Sequence, residues 1–481
     1  MVATSLLGKT RRVHFVGIGG IGMSGIAELL ANLGYVVSGS DLKPSAVTDR
    51  LETIGIRVAY AHEAANVGDA DVVVVSAAVR PANPEVLEAA RRQVPVIPRA
   101  EMLAELMRLR FSIAVAGAHG KTTTTSMIAL VLERAGLDPT AVIGGRLSAF
   151  GGNARLGRGE LMVAEADESD GSFLKLFPTM AVITNIDHEH LENYGGFDDL
   201  QQAFVDFANK VPFYGGVVAC ADDAHLAAVL PKMTRRVTTY GIDADADITA
   251  TDIVLEPFVV RALVRRKANA AAHLQGQGRG PERTSLGPLT LHVSGRHNLQ
   301  NALAAVAVGL ELGLPFERVA AGLAEFRGVE RRFEVRGEPR GILVIDDYGH
   351  HPTEIAVVLA AARSLGRRIV VAFQPHRYSR TAALLDAFGP ALAGADHLVL
   401  TDIYSAGEDP IEGVTIGALA AAIGRSVRTP VEVVGRIEDV VPALVRVARP
   451  GDVVLTLGAG SIGGVAEPLV EALDQQRGAG G

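Results

Sequence analysis

The sequence predicts an α/β protein built from three consecutive domains. Apolar, β-branched runs alternate with amphipathic helical stretches along almost the whole chain, which is typical of parallel sheets covered by helices on both faces. The length of 481 residues also exceeds what one hydrophobic core usually holds, since domains of about 100–200 residues are the norm. We therefore expect domains at residues 1–108, 109–328 and 329–481.

Composition narrows the class of protein. Hydrophobic residues make up 48% and charged residues 21% of the chain, and the formal net charge is −8, which argues against a general nucleic-acid-binding surface. No apolar run approaches the roughly 20 residues that span a bilayer, and the first residues lack the apolar region of a secretory signal. A single cysteine, Cys220, fits a reducing compartment. We expect a cytoplasmic protein with no nucleic-acid partner and no membrane insertion.

The first domain carries a glycine-rich loop. Strand-like runs at 12–19, 35–41, 71–79 and 94–100 predict a sheet, and the loop from Gly17 to Gly22 follows the first of them. Asp41 ends the next strand, which completes a Rossmann-like dinucleotide-binding pattern with the carboxylate placed for a ribose hydroxyl. The pattern indicates a pyrophosphate at a helix N-terminus but leaves NAD, FAD and UDP-sugars open, and a glycine turn that only packs a helix on a strand is the alternative.

The second domain carries a different glycine loop, GAHGKT at residues 117–122. Glycines at both ends let backbone N–H groups face phosphate oxygens, and the following helix adds its positive dipole end. Lys121 suits the β- and γ-phosphates of ATP, and the Thr122 hydroxyl suits Mg²⁺. Only Ala118 and His119 separate the glycines, so the loop is a shortened variant of the usual phosphate-binding pattern.

Acidic clusters follow two later strands of this domain. They contain Glu165, Asp167, Glu168 and Asp170, and then Asp187, His188, Glu189 and His190. Ligands bind at the carboxyl edge of parallel sheets, and Mg²⁺ prefers oxygen ligands, so Glu168 is a candidate metal ligand. The alternative is that these side chains are solvated and cap the next helices.

The third domain starts around GVERRFE at 328–334, and strand-like runs at 341–349, 367–375, 397–404, 430–435 and 452–461 predict another sheet. The segments RRFE, DDYGHHPTE and FQPHRYSRT place basic and aromatic side chains near these runs. Taken singly, each could be a solvent-exposed turn or helix cap.

Together these segments resemble the Mur ligase family over essentially the whole chain. The motifs that carry the resemblance are HFVGIGGIGMSGIAELL, GAHGKTTTT, EADESDGSF, TNIDHEHLENY, GRHNLQNALAA, RRFEVRG, DDYGHHPTEI and FQPHRYSRT. The resemblance implies a UDP-binding Rossmann-like domain, a central P-loop ATPase-like domain and a C-terminal Rossmann-like α/β domain that receives an amino acid. It also implies that ATP, Mg²⁺, UDP-N-acetylmuramate and L-alanine are the cofactors and substrates, joined through an acyl phosphate.

The resemblance further implies roles for individual residues. The UDP-sugar would be bound by Gly17, Gly19, Gly20, Ile21, Gly22, Asp41 and Ser76. ATP would be bound by Gly117, Ala118, His119, Gly120, Lys121, Thr122, Thr123, His297, Asn298, Arg332 and Asp347. The metal ligands would be Thr122, Glu168 and His190, and the amino-acid site would contain Tyr348, His376, Arg377 and Arg380. Lys121, Glu168, His190 and Arg332 would be the catalytic residues.

Two positions depart from the family pattern. Ala118 stands where many relatives have Thr, and the stretch after His190 has no lysine until Lys210, too far along for the carbamylated lysine of several members. We therefore do not predict a carbamylated lysine. His188, Asp167 and His350 are alternative bases for the attacking amine.

Three rival functions stay open at the level of sequence. A recycling ligase would attach a tripeptide to the same sugar nucleotide, an NAD-dependent oxidoreductase would use the first glycine loop, and a nucleotide-binding regulator would hydrolyse ATP as a switch. An oligomer is compatible with all of them.

Overall fold

The computed structural model describes residues 7, 9–76, 78–108, 110–147, 152–189, 191–268 and 283–475. The chain divides into two compact units. The first contains Met1–Val254, Arg261–Leu291 and Asn298–Arg327, and the second contains Leu255–Val260, His292–His297 and Gly328–Gly481. Within the described residues the strands form three sheets.

The first sheet has five parallel strands in the order β3-β2-β1-β4-β5. The strands are Arg12–Val16 (β1), Val36–Ser40 (β2), Arg57–Ala59 (β3), Val72–Val75 (β4) and Val96–Pro98 (β5). The helices are Ile21–Asn32 (α1), Ala46–Thr53 (α2), Pro84–Arg91 (α3) and Arg99–Met107 (α4). Because all five strands run in one direction, the loops that follow them meet at one edge of the sheet.

The second sheet has ten strands in the order β15-β14-β13-β12-β11-β10-β6-β9-β7-β8. They are Phe111–Ala116 (β6), Thr140–Leu147 (β7), Gly152–Arg155 (β8), Leu161–Glu165 (β9), Met180–Ile183 (β10), Gly216–Cys220 (β11), Val237–Gly241 (β12), Ile248–Glu256 (β13), Val259–Lys267 (β14) and Arg283–Leu291 (β15). The helices are Lys121–Arg134 (α5), Phe197–Asn209 (α6), Ala224–Val229 (α7), Arg296–Glu311 (α8) and Phe316–Ala324 (α9). Strands β9, β6, β10 and β11 pair in parallel, so β6, β9 and β10 deliver their following loops to the same edge.

The third sheet has six strands in the order β16-β17-β21-β18-β19-β20, with only the edge pair β16–β17 antiparallel among them. They are Glu334–Gly337 (β16), Leu343–Asp347 (β17), Ile369–Phe373 (β18), His397–Leu400 (β19), Val431–Val433 (β20) and Val453–Leu457 (β21). The helices are Pro352–Arg363 (α10), Tyr378–Ala383 (α11), Phe388–Leu392 (α12), Ile416–Ser426 (α13), Val440–Val447 (α14) and Ala466–Gln475 (α15).

Alternating residues of the third sheet enter two separate cores. Ile345 and Val371 pack in the core on one face, whereas Val344 and Val370 pack in the core on the other. A strand buried on both faces must be apolar at every position, which is why these strands read as continuous apolar runs in the sequence.

The predicted α/β class is confirmed, and every run predicted as a strand in the first domain contains one. The hairpin β7–β8 was not predicted, because TAVIGGRL and GNAR are rich in glycine and lack strand-like alternation. The proposed domain limits stay a prediction. None of the described helices has the length and apolar character needed to cross a membrane.

Candidate active site

The loop between β6 and α5 has a conformation that requires glycine at both ends. Gly117 has φ +133° and Gly120 has φ +80°, values that other residues adopt only with strain. A Cβ atom on Gly117 would lie 2.1 Å from the Thr184 hydroxyl oxygen. Gly120 is the N-cap of α5, and Lys121 is the first residue of that helix. The loop therefore presents a helix N-terminus, a favourable place for phosphate.

Polar residues that follow β10 form hydrogen bonds with the backbone of the β6–α5 loop. The His119 N–H donates to Asn185 Oδ1 at 2.8 Å, and Asn185 Nδ2 donates to the His119 carbonyl at 3.0 Å. The Thr184 hydroxyl donates to the same carbonyl at 2.7 Å. Thr184 and Asn185 belong to the motif TNIDHEHLENY but are not among the predicted site residues. Their position directly after a strand of the predicted site was the available signal.

Lys121 faces the first acidic cluster. Its Nζ donates to both carboxylate oxygens of Glu168, at 2.9 and 2.8 Å, and to the Gly117 carbonyl at 2.6 Å. Burial alone would lower the pKa of Lys121, but nearby carboxylates, Glu168 most strongly, raise it well above its ordinary value. Lys121 is therefore a fixed positive charge at neutral pH. Lys121 and Glu168, which the sequence predicts for phosphate and for metal respectively, thus lie in direct contact.

The surroundings of Lys121 hold more negative than positive charge. The Thr122 hydroxyl donates to Glu165 Oε2 at 3.2 Å, and Asp167 pairs with Arg99 at 3.2 Å. Burial raises the pKa of Glu168, although the Lys121 charge opposes this shift. A divalent cation would relieve the crowding of carboxylates, and the hydroxyl and carboxylate oxygens present are the donors that Mg²⁺ prefers. The residues therefore fit the implied metal, with Thr122 and Glu168 available as ligands.

Two further residues bear on the predicted metal site. His190, the third predicted metal ligand, lies outside the described residues. Lys210 donates to the Leu174 carbonyl and lies over the Phe177 ring, 5.0 Å from its centroid. The side chain of Lys210 is thus engaged by a backbone carbonyl and an aromatic ring.

Helix α8 contributes amides to the same region. The Thr124 hydroxyl donates to Asn301 Oδ1 at 3.2 Å, and Asn301 Nδ2 donates to Asn298 Oδ1 at 3.4 Å. A Cβ atom on Gly120 would come within 2.7 Å of Asn301. Asn298, predicted to bind ATP, is therefore linked to the phosphate loop through Asn301, which the sequence analysis had not singled out.

The glycine loop of the first domain is organised around Asp41. The Gly19 N–H donates to Asp41 Oδ2 at 2.8 Å, and the Gly17 N–H donates to the Ser40 carbonyl at 2.9 Å. Gly17 has φ +79°, and a Cβ atom there would lie 3.5 Å from the Ser76 hydroxyl. The predicted loop, Asp41 and Ser76 thus meet at the carboxyl edge of the first sheet.

Positive and aromatic side chains cluster at the carboxyl edge of the third sheet. Arg380 Nη1 lies 3.1 Å from His376 Nδ1, and the rings of His376 and His350 have centroids 5.4 Å apart. The Tyr404 ring stacks on His376 at 5.6 Å. Burial, then the charges of nearby basic groups, lowers the pKa of His376 to about 3. Tyr404 was missed, since nothing in HLVLTDIY marks it.

Arg331 and Arg332 differ although they are adjacent. Arg331 Nε donates to the fully buried Asp346 at 2.8 Å. This hydrogen bond ties Arg331 to strand β17, which indicates a structural role. Both guanidinium groups lie over the Tyr348 ring, at 5.2 Å from its centroid for Arg331 and 5.3 Å for Arg332, but only Arg332 lowers the pKa of His297. Burial lowers the pKa of His297 to about 4, with the Arg332 charge adding to the shift. Arg332 and His297 are thus close enough to interact.

Asp347 is buried at the end of β17, where it accepts the backbone N–H groups of Gly349 at 2.6 Å and Phe333 at 2.7 Å. Burial raises the pKa of Asp347 to about 6. Arg377, in contrast, is half-exposed, 3.8 Å from Glu408, and has φ +71°. A non-glycine residue in this conformation indicates strain of the kind that functional loops store.

These features define a class of protein, a three-domain α/β enzyme with two glycine loops that each open a helix at the carboxyl edge of a sheet, a favourable place for phosphate. The chain matches the Mur ligase family, catalytic domain, at residues 12–111, the Mur ligase middle domain at 115–309, and the Mur ligase, glutamate ligase domain, at 331–460. The chain belongs to the Mur ligase family.

Individual relatives are similar over nearly their whole length. The UDP-N-acetylmuramate–L-alanine ligase of Geotalea daltonii is 54% identical over 97% of this chain and 99% of its own, and that of Geobacter sulfurreducens is 53% identical over 98% and 100%. The crystal structure of UDP-N-acetylmuramate-alanine ligase from Thermotoga maritima has a TM-score of 0.79 and 31% identity, covering 97% of this chain and 99% of its own.

Proposed function

We propose that this chain is an ATP-dependent, ADP-forming ligase that joins L-alanine to the lactyl carboxylate of UDP-N-acetylmuramate in peptidoglycan precursor synthesis. The observation that carries this proposal is the 54% identity, over 97% of the chain, to ligases named for that reaction. Mur ligases are ATP-dependent, and the residues beside the central phosphate loop supply the charges that phosphoryl transfer needs.

The reaction proceeds in two steps. The lactyl carboxylate attacks the γ-phosphorus of ATP, its bond to the β–γ bridging oxygen breaks, and ADP leaves. The amine of L-alanine then attacks the acyl phosphate, a base takes one proton from nitrogen, and inorganic phosphate leaves as the amide forms. In the first step Lys121 neutralises charge on the transferred group. Mg²⁺, held by Thr122 and Glu168, would supply further neutralisation of phosphate charge when bound.

The remaining site residues are assigned by family resemblance and by position. The first glycine loop with Asp41 and Ser76 binds the UDP part. In the same way, ATP is bound by Asn298, His297, Arg332 and Asp347. L-alanine is bound by Tyr348, His376, Arg377 and Arg380, and the positive charge and polar rings of the cluster around His376 support this assignment, because a carboxylate is recognised best by a guanidinium.

The base that deprotonates the amine stays a choice among three residues. Asp167 is paired with Arg99 and has a lowered pKa despite its burial. His350 Nδ1 lies 3.0 Å from the Tyr348 carbonyl, which fixes the proton on Nδ1 and leaves Nε2 as an acceptor. Burial lowers the pKa of His350 to about 4, so it is a weak base. His188 is half-exposed and stacks on Phe197.

We further propose that residues 1–108 bind the UDP-sugar, 109–328 bind ATP and 329–481 bind the amino acid, and that the protein works in the cytoplasm. The test is ADP release from the full-length chain in the presence of ATP and Mg²⁺. It is measured with UDP-N-acetylmuramate alone, with L-alanine alone, with both, and with neither. ADP release that needs both co-substrates supports the proposal, and its absence with both would overturn it. Release without either would favour an ATP-driven switch.

The recycling alternative is tested by replacing L-alanine with a tripeptide. The murein peptide ligase of Psychrobacter arcticus is also similar in structure, with a TM-score of 0.71 and 26% identity over 96% of this chain and 99% of its own. Since identity is 54% to the alanine ligase of Geotalea daltonii and 31% to that of Thermotoga maritima, against 26% to the murein peptide ligase, we expect turnover with L-alanine to exceed turnover with the tripeptide. An oxidoreductase would instead bind nicotinamide cofactors, and we expect this protein not to bind them.

A further inference from the structure

The first domain contains a buried carboxylate that the proposed reaction does not use. Glu85, near the start of α3, is fully buried and accepts hydrogen bonds from the Ser40 hydroxyl and from Asn66 Nδ2, both at 2.6 Å. Burial alone would raise the pKa of Glu85, but neighbouring polar groups, first His14 and then Ser40 and Asn66, lower it below the ordinary value. Glu85 is therefore ionised at neutral pH and can only accept hydrogen bonds.

This carboxylate fixes the protonation of a neighbouring histidine. Because the single hydrogen of Ser40 is donated to Glu85, Ser40 Oγ must accept from its other neighbour, His62 Nδ1, at 2.9 Å. Nδ1 of His62 therefore carries the hydrogen, and Nε2 of the neutral ring carries a lone pair. The His62 side chain is 19% exposed, and with Nδ1 held inward, Nε2 is the nitrogen that a ligand can reach.

The sheet order places His62 beyond the ribose position. The glycine loop follows β1, Asp41 follows β2 and His62 follows β3, and these strands are consecutive neighbours in the sheet. On the proposed function, on which this step rests, pyrophosphate lies at the loop and ribose at Asp41. A nucleotide running along this edge then puts its base at the end of β3.

The opposite end of the same edge leads toward the central site. Arg99 directly follows β5, on the far side of the sheet from β3, and its guanidinium bonds Asp167 at 3.2 Å. Asp167 precedes Glu168, the partner of Lys121. The sugar carboxylate must reach that site, so the sugar extends toward β5 and the base extends toward β3.

We propose that His62 Nε2 accepts a hydrogen bond from the N3–H of uracil and thereby selects uridine over cytidine nucleotides. Uracil carries a hydrogen on N3, whereas cytosine carries a lone pair there. With Nδ1 protonated by the Ser40–Glu85 pair, a cytosine would place two lone pairs against each other, which leaves both polar groups unsatisfied. Ser40 and Glu85 act as positioning residues for His62.

The test is calorimetric binding of UDP and of CDP to the full-length protein without ATP. We expect the wild type to prefer UDP by about tenfold or more, the usual effect of one unsatisfied polar contact. In His62→Gln the side-chain amide can present either an oxygen or an N–H group, so CDP should gain affinity and the preference should fall toward one. A gain of CDP binding cannot arise from structural damage.

His225→Gln is the control, because His225 is a partly buried histidine at the start of α7 and belongs to the central domain rather than to the first sheet. It should keep the wild-type ratio of UDP to CDP affinity. Ser40→Ala, which frees the tautomer of His62, should lower that ratio as a second variant. An unchanged ratio in His62→Gln and in Ser40→Ala would overturn this inference alone. A wild type that binds neither UDP nor UDP-N-acetylmuramate would overturn the proposed function of the first domain as well.

Discussion

The two glycine loops share one backbone design and differ in charge. Each follows a parallel strand and opens a helix, α1 in the first domain and α5 in the central one. The first loop is bonded through Gly19 to a single carboxylate, Asp41. The central loop has Lys121 within it and Glu165, Asp167 and Glu168 beside it. Binding a diphosphate requires mainly backbone N–H groups at a helix N-terminus. Transferring a phosphoryl group also requires charged groups that neutralise the negative charge on the transferred phosphate.

The cluster around His376 in the C-terminal domain can be compared with the surroundings of Lys121, because the neighbouring charges have the opposite sign. Around Lys121 an excess of carboxylates raises the pKa of the lysine, whereas around His376 burial and neighbouring basic groups lower the pKa of the histidine. In both places like charges are held together before any ligand binds. On the proposed function, each site would then bind a ligand of the other sign, a metal cation in the central domain and the carboxylate of L-alanine in the C-terminal one.

The largest effect should come from removing the charge of the central loop. Lys121→Ala should lower the rate of ADP release about a thousandfold or more, since it removes preorganised positive charge from the phosphoryl-transfer site. Binding of UDP-N-acetylmuramate, measured by calorimetry, should stay within about twofold because the first loop is intact.

Lys175→Ala is the matched control for that variant, because Lys175 belongs to the same domain and is exposed. It should release ADP at the wild-type rate. Wild-type turnover in Lys121→Ala would remove the central loop from the mechanism, and loss of UDP-N-acetylmuramate binding would mean that the two loops do not act separately.

A paired substitution compares the backbones of the loops directly. Gly117→Ala puts a Cβ 2.1 Å from the Thr184 hydroxyl at φ +133°, whereas Gly17→Ala meets its nearest atom at 3.5 Å at φ +79°. Strain of about 1–3 kcal/mol applies to both conformations, and the clash adds to it only at Gly117. We expect kcat/KM for ATP to fall about a hundredfold in Gly117→Ala, and the KM for the sugar nucleotide to rise several-fold in Gly17→Ala.

Steady-state kinetics with each substrate varied in turn distinguishes the two outcomes, and each variant serves as the control for the other. Equal losses for ATP and for the sugar nucleotide in both variants would contradict the assignment of one loop to each ligand.

The strand order made part of the site predictable. Residues that directly follow parallel strands meet at one edge, so the contacts of Lys121 with Glu168 and of Gly19 with Asp41 could be expected from sequence. The contact of Arg99 with Asp167 spans 68 residues, and that of Thr124 with Asn301 spans 177. These depend on how helices pack and on side-chain rotamers, which strand and loop patterns do not encode.

A pH experiment tests the crowding of positive charge around His376. The pKa of His376 is lowered from 6.5 to about 3 in the folded chain, so the unfolded chain binds the proton first as pH falls below 6.5. The free energy of unfolding contributed by this group is complete above pH 6.5 and is lost as pH falls toward 3. Between pH 7 and pH 5 the loss should be roughly 2 kcal/mol.

His376→Gln should lack that part of the pH dependence in urea unfolding followed at pH 7 and pH 5. His188→Gln, at a half-exposed histidine of the central domain, should keep the wild-type dependence. The same slope in His376→Gln and the wild type would show that His376 is not held neutral by its neighbours.

The smallest effect should come from the guanidinium that we assign to the carboxylate of L-alanine. Arg380 lies in the first turn of α11 with its Nη1 against His376, so Arg380→Ala should raise the KM for L-alanine about tenfold, the usual cost of one charged hydrogen bond. Arg377→Ala should raise it less, because Arg377 is half-exposed and has Glu408 beside it. Arg425→Ala, at an exposed arginine of the same domain, should leave it unchanged. Since neither glycine loop is altered, the KM values for ATP and for the sugar nucleotide should stay at the wild-type level in all three variants. An unchanged KM for L-alanine in both Arg380→Ala and Arg377→Ala would place the amino-acid site elsewhere.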